Sequence, residues 1–344
     1  MPLLHPKYKV AVVQAAPDWL DLDAGIDKTI ELIREAAAKG AKLISFPETW
    51  LPGYPWHIWM GAHAWQVSRG FVQRYFDNSL SYDSPEAARL SAAVKKARIT
   101  AIIGVSERSG GSLYIGQWMI GPDGETIATR RKLRPTHVER AVFGEGDGSD
   151  LAVHQIEGLG RVGALCCWEH LQPLSKYAMY AQNEQVHVAA WPSFSNYEPF
   201  AHALGAEVNN AASRIYAVEG SCFVLAPCAI VSQAMIDELC DTPEKHGFNH
   251  VGGGHAVIYG PDGAPLVEKL PEDTEGILYA EIDLSAIVVA KNAADPAGHY
   301  SRPDVTRLLF NKTPMSPVET FTVPSEIDDT DSAHMHLDQR SIRG

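Results

Sequence analysis

Long apolar runs are missing from this 344-residue chain. No stretch approaches the roughly 18 consecutive apolar residues of a membrane span, so no membrane partner is expected. An excess of positive charge is missing too. With 29 Lys and Arg against 42 Asp and Glu, the formal net charge is −13, which excludes a general nucleic-acid binder because phosphate contacts need a basic face. The run Arg130-Arg131-Lys132-Leu133-Arg134 is a local exception and reads as a solvated strand end. Cysteine is scarce: Cys166, Cys167, Cys222, Cys228 and Cys240 are an odd number at irregular spacing. That fits reduced thiols in a cytoplasm rather than a disulfide framework. No Cys-x2-Cys pair stands beside suitably spaced histidines, so no structural metal is expected. The opening MPLLHPKYKVAVVQAAP lacks the basic segment, apolar stretch and small-residue cleavage site of a secretory signal.

What is there is a chain that alternates strand-like and helix-like segments. KVAVVQ (9–14) predicts a strand, and 23–39 a helix with Ile26, Ile30, Ile33 and Ala37 on one face and Gly40 as its stop. KLISF (42–46), ITAIIGV (99–105), RVGALCC (161–167), VHVAAW (186–191), SCFVLAPCAIV (221–231) and GILYAEID (276–283) read as strands. PEAARLSAAVKKA (85–97), 173–185, 198–219 and 284–291 read as helices. GPDG at 121–124 and again at 260–263 favours tight reversal, so a hairpin is expected at each. Helices interleaved with mixed strands imply an α/β fold with sheets inside and helices outside. One domain is expected over residues 1–311, followed by a polar tail, 312–344, that is flexible or ordered by a neighbouring subunit.

The segment GALCCWEHLQP (163–173) brings a thiol to the end of a strand and sets polar groups beside it. Carboxyl ends of strands are where α/β sheets place ligand crevices. Adjacent strand side chains point to opposite faces, so only one of Cys166 and Cys167 can face such a crevice. A lone cysteine is most often a small buried hydrophobe. A nucleophilic thiol needs a base for its proton and a positive group for the anion that forms. Two other strand ends offer them: Glu48 after KLISF, and Lys132 after TIATRR, with Glu139 close behind. Read singly, Glu48 is a cap or surface acid and Lys132 a surface lysine; read together, they are the geometry of a covalent site.

FPE (46–48), RRKLRPTHVER (130–140) and CCWEH (166–170) resemble the Glu, Lys and Cys signatures of the nitrilase superfamily of carbon-nitrogen hydrolases. THVER, FGEGDGSDL (143–151), CWEHLQPLSKYAMYAQNEQVHVAAWP (167–192) and GHYSRPDV (298–305) resemble its true nitrilase branch, in order over about residues 8 to 310. The resemblance implies a four-layer α-β-β-α sandwich and no metal or organic cofactor. It implies Cys167 as nucleophile, Glu48 as general base, Lys132 as stabiliser of tetrahedral intermediates and Glu139 as a second acid that helps place water. The implied reaction takes a small-molecule nitrile and water to the carboxylic acid and ammonia through a cysteine thioimidate and thioester. Homodimers that extend into spiral oligomers are implied as well.

Around that core, Glu169 either orients Lys132 or bridges to a helix end, and Trp168 lends its backbone N–H to the oxyanion. His170 is a rival base in a Cys–His pairing, although such dyads bring the histidine from elsewhere in the fold. His299 is read as structural or as part of the rim. Tyr54, Trp56 and Trp191, against a reading as ordinary core, are expected to contact an aromatic or arylalkyl nitrile. The competing activities are an amidase or carbamoylase, a nitrile or cyanide hydratase that stops at the amide, and a non-catalytic assembly scaffold.

Overall fold

The structure, a computed structural model, describes residues 5–194, 201–318 and 320. The chain divides into two units, residues 1–313 and 314–344, and every helix and strand named below lies in the first. Residues 325–344, the acidic part of the expected tail, lie outside the described residues, as does the segment 195–200.

The chain begins with strand β1 (Lys7–Ala15), helix α1 (Leu22–Ala38) and β2 (Ala41–Ser45). Three short helices follow, α2 (His57–Met60), α3 (His63–Ser68) and α4 (Phe71–Asp77), and then α5 (Pro85–Ala97). Next come β3 (Thr100–Ser109), β4 (Ser112–Ile120), β5 (Thr126–Arg131), β6 (Phe143–Gly144), β7 (His154–Ile156) and β8 (Gly160–Cys166). The remainder is α6 (Pro173–Tyr180), β9 (Val186–Ala190), α7 (Ala206–Gly220), β10 (Phe223–Ala226) and β11 (Cys228–Ala229). It closes with α8 (Gln233–Leu239), α9 (Pro243–His246), β12 (Val257–Tyr259), β13 (Gly276–Asp283) and α10 (Ser285–Ala293).

Two mixed sheets form. The first runs β11-β1-β2-β3-β4-β5, with β13 also on β1 and β6 on β4; the second runs β12-β10-β9-β8-β7. Strand alternation sorts the side chains into layers. Val10, Val12, Leu43, Ile102 and Met119 of the first sheet share a core with Val162, Val188 and Val224 of the second. Their neighbours Ala11, Val13, Ile44 and Ile103 point the other way, onto Ile26, Ile30 and Ile33 of α1 and Leu90 and Val94 of α5. On the far side, Met179 of α6 and Tyr216 and Ala217 of α7 pack with the second sheet. The result is helix, sheet, sheet, helix: the α-β-β-α sandwich.

Local chemistry accounts for the helix ends. The Asp21 carboxylate accepts from the Ala24 N–H at the start of α1, and Ser84 accepts from Ala87 N–H at the start of α5, where Pro85 needs no partner. Gly40 takes the left-handed conformation that stops α1.

Four expectations are corrected. The strand 161–167 ends at Cys166, and Cys167 turns off it at φ 47°. The helix 198–219 breaks at Gly205 into a 3-10 turn, His202–Leu204, and α7. The run 221–231 is two strands in different sheets, because Pro227 has no N–H to continue a ladder. The second GPDG does reverse the chain, with Leu266 N–H on Ile258 O, but its return arm forms only an isolated bridge at Pro265. No described helix is long and apolar enough to cross a membrane.

Candidate active site

Three strand ends converge, one from the second sheet and two from the first. Past β2, Phe46 N–H still bonds Ile102 O, and Pro47 then lifts the chain so that Glu48 N–H reaches Trp191 O of the second sheet at 3.3 Å. Gly104 makes room for this exit, since a β-carbon there would lie 1.9 Å from the Pro47 carbonyl oxygen. Past β5, Lys132 N–H continues the ladder to Ile115 O at 2.7 Å. Past β8, Cys167 opens a 3-10 turn, Cys167–Leu171. Thr49, His137 and Cys167 all hold positive φ, at 45°, 49° and 47°. Non-glycine residues pay for that conformation, and such strain collects at functional sites.

The charged side chains meet in a buried triad. Lys132 Nζ donates to Glu48 Oε1 at 2.9 Å and to Glu139 Oε2 at 2.8 Å. Glu139 is fixed by the Thr136 N–H at 2.6 Å and by the Tyr54 hydroxyl at 2.8 Å on its other oxygen. Glu48 Oε2 is buried with no hydrogen-bond partner. Burial pushes the Glu48 carboxyl up to about 7; Lys132 pulls it down and Glu139 pushes it further up. For Lys132, burial alone would lower the pKa, but the two carboxylates outweigh it and hold the ammonium well above the usual lysine range. Burial and Glu48 raise the Cys167 thiol well above its ordinary value, against Lys132 and the Trp168 backbone N–H. Glu48 and Lys132 thus act on the thiol in opposite directions, the carboxylate disfavouring the thiolate and the ammonium favouring it.

Glu169 does not orient Lys132. It forms a two-pronged pair with Arg130, 2.7 and 3.0 Å, and accepts from the backbone N–H groups of Leu133 and Cys166 at 2.9 and 2.8 Å. Burial alone would raise this carboxyl, and Arg130 with those N–H groups brings it below the ordinary range. The pair thus ties the strand end that carries Lys132 to the one that carries Cys167. Arg130 is the residue that sequence reasoning missed. It is buried, not a solvated strand end, and the available signal was its position two residues from Lys132 on the same strand face.

Cys167 and Glu139 line a cavity of about 180 Å³ whose walls include Tyr54, Trp56, Trp59, Trp168, Phe194 and Leu204. Trp191 does not line it: its indole N–H donates to Ser213 Oγ at 2.8 Å, and its ring stacks on His170 in the core. His299 is exposed and is not among the lining residues. His170 is no partner for the thiol, because its Nδ1 bonds the Cys167 carbonyl at 2.6 Å and its Nε2 meets His187 Nε2 at 2.9 Å. Cys166 is fully buried behind the strand.

Residues 9–292 match the carbon-nitrogen hydrolase family. A nitrilase of Pseudomonas syringae pv. syringae is 61% identical over 89% of this chain and 90% of its own. An arylacetone-specific nitrilase of Alcaligenes faecalis is 51% identical over 92% and 89%, and an aliphatic nitrilase of Rhodococcus rhodochrous 50% identical over 91% and 85%. Among solved structures, a carbon-nitrogen hydrolase from Helicobacter pylori G27 superposes with a TM-score of 0.68 over 87% of this chain and 96% of that one, at 19% identity. At that identity the likeness concerns the fold.

Proposed function

The chain belongs to the carbon-nitrogen hydrolase family, and on that premise we propose that it hydrolyses organic nitriles to the acid and ammonia through a thioimidate and then a thioester on Cys167. The observation that carries the reading is a half-buried Cys167 lining an apolar chamber whose wall also includes Glu139, one member of the buried Glu48–Lys132–Glu139 triad. The names of the relatives, nitrilases at 50 to 61% identity, support nitriles as the substrate class.

A nitrile carbon is a weak electrophile, and a thiolate attacks it better than water does. Glu48 takes the thiol proton as sulfur bonds to carbon, and that proton passes to the nitrogen to give the thioimidate. Water deprotonated by Glu48 then adds to the C=N bond, leaving a carbon that bears sulfur, hydroxyl and amino groups. Its C–N bond breaks, the amino group leaves as ammonia with the hydroxyl proton, and the thioester remains. A second water releases the acid and returns a proton to sulfur. Lys132 and the Trp168 N–H stabilise the negative charge that develops at each addition, and Glu139 holds Lys132 and helps place water.

The aromatic walls Tyr54, Trp56 and Trp168 favour an aryl or arylalkyl nitrile. Homodimers extending to a spiral oligomer belong to the same reading, supported by Leu174, Ile215 and Val218 exposed on α6 and α7. A cytoplasmic location belongs to it too, supported by five unpaired cysteines.

The test quantifies ammonia and amide across a panel of nitriles and amides. Cys167→Ala is expected to abolish turnover and Cys166→Ala to spare most of it. The opposite pattern overturns the choice of nucleophile, and turnover of amides alone overturns the substrate class.

A further inference from the structure

Behind the nucleophile lies a set of buried polar side chains that the reaction does not use. His170 Nδ1 meets the Cys167 carbonyl at 2.6 Å, and its Nε2 meets His187 Nε2 at 2.9 Å. His187 Nδ1 meets Glu184 Oε1 at 2.7 Å, and the Tyr216 hydroxyl donates to Glu184 Oε2 at 2.6 Å. The rings are clamped: His187 stacks on Tyr216 at 3.8 Å, and His170 stacks on Trp191. The fold makes space for the carboxyl, because a β-carbon at Gly163 would lie 2.0 Å from Glu184 Oε1.

Counting protons along this line leaves one neutral arrangement. A carbonyl oxygen only accepts, so His170 Nδ1 carries the hydrogen. Neutral His170 then has a bare Nε2, which must receive the hydrogen of His187 Nε2. Neutral His187 in turn has a bare Nδ1, which must receive a hydrogen from Glu184. The reverse assignment sets a bare nitrogen against the Cys167 carbonyl or leaves an imidazolium in the core, and both are costly.

We propose that Glu184, His187 and His170 form a one-way hydrogen-bond relay, with a protonated Glu184 at its head, that fixes the carbonyl of Cys167. They are positioning residues. The peptide plane is rigid, so holding the Cys167 carbonyl on one side aims the Trp168 N–H on the other, toward the thiol and the charge that develops beside it. Without this hold, Cys167 would be free to relax from its left-handed φ.

The surroundings agree. Burial pushes Glu184 up to about 8, opposed by the Tyr216 hydrogen bond, and pushes His170 down to about 3. Burial also holds His187 well below its ordinary value; Arg130 from β5 adds to that and Glu169 opposes it. The other titratable groups that bear on the relay are Lys176 and Tyr180 of α6 and Cys222 before β10. Glu169 is the anion that favours an imidazolium at His187 and His170, and burial, with Arg130 at His187 and His187 at His170, outweighs it.

The inference rests on Cys167 being the nucleophile, and its test separates the two. His170→Phe keeps the stacked ring but removes the donor, whereas His170→Asn offers an amide N–H in its place. The first is expected to lower kcat roughly 10- to 100-fold with KM within about threefold, and to slow alkylation of Cys167 by iodoacetamide; the second restores most of both. Glu184→Gln, which can still donate to His187 and accept from Tyr216, retains most of kcat, and Glu184→Leu behaves like His170→Phe. An infrared difference spectrum between the native protein and Glu184→Gln shows the carbonyl stretch of a protonated acid at neutral pH. A carboxylate band instead, or a Gln variant as poor as Leu, overturns the relay, as does native kcat in His170→Phe. Should the native protein release no ammonia from any nitrile, the proposed activity falls while the infrared band still decides the relay.

Discussion

Replacing Glu139 with Gln removes one of the two anions that share Lys132 while keeping the shape of the site. The carboxylates of Glu48 and Glu139 lie no more than about 5.7 Å apart across the shared nitrogen. At an effective dielectric of about 20, unit charges at that separation repel by about 3 kcal/mol, equivalent to about two pH units before any relaxation. Glu139 is one of the causes that raise Glu48, and Lys132 is the main one that lowers it. In Glu139→Gln the raising charge is gone, and the ammonium serves Glu48 alone. A base works when ionised, so activity rises as pH rises through its pKa. The acid limb of kcat/KM is therefore expected to move down by about one to two units in the variant. The assay is ammonia release at low substrate from about pH 4 to 9, with the fold checked at each end. Tyr54 can accept from the new amide, as it can accept from the Trp59 indole N–H at 3.3 Å, so the site accommodates the change. A limb that stays in place or moves upward would refute the coupling and, with it, Glu48 as the base.

Arg130→Met strands the Glu169 carboxylate in the core and should cost about 3–5 kcal/mol in urea unfolding; a loss below about 1 kcal/mol would mean the pair does not bind the two strand ends together. Gly104→Ala forces the Pro47 carbonyl, and so Glu48, out of place. A shift of that kind is expected to cost about 100-fold in kcat, and an undisturbed kcat would show that the base tolerates displacement. Trp56→Ala removes a chamber wall, so the kcat/KM ratio of arylalkyl over short aliphatic nitriles should fall about tenfold. An unchanged ratio would show that this ring does not read the substrate.

Much of the fold could be read from periodicity, because it is built where local pattern and global burial agree. The alternating faces of β1 and the Ile26-Ile30-Ile33 stripe of α1 are examples. The misread places are those where one residue overrides its neighbours. Pro227 splits an apolar run between two sheets, and Gly205 starts α7 afresh after a 3-10 turn. Glu48, Lys132 and Cys167 were legible as strand-end residues, and the structure brings Glu48 and Lys132 into direct contact with each other. Trp191 was not: it follows the last residue of β9, and its indole turns inward to Ser213. Arg130 was hidden by composition, since a basic run looks solvated until its buried partner, 39 positions away, is known. The Glu184–His187–His170 line was hidden for the same reason, because a histidine in an apolar strand does not announce what it bonds.

Pro227 has a consequence for motion. Ala226 ends a strand of one sheet and Cys228 begins a strand of the other, so a single residue stitches the two layers covalently. The stitch is doubled where Trp191 N–H bonds the Pro227 carbonyl and pairs in a bridge with Cys228. Two further residues of chain span at most about 7 Å, so the layers are tethered at this point. The sulfur hangs from one layer, and the carboxylate and ammonium from the other. The tie reaches the charged cluster through Trp191, whose N–H holds the Pro227 carbonyl while its own carbonyl accepts from the Glu48 N–H.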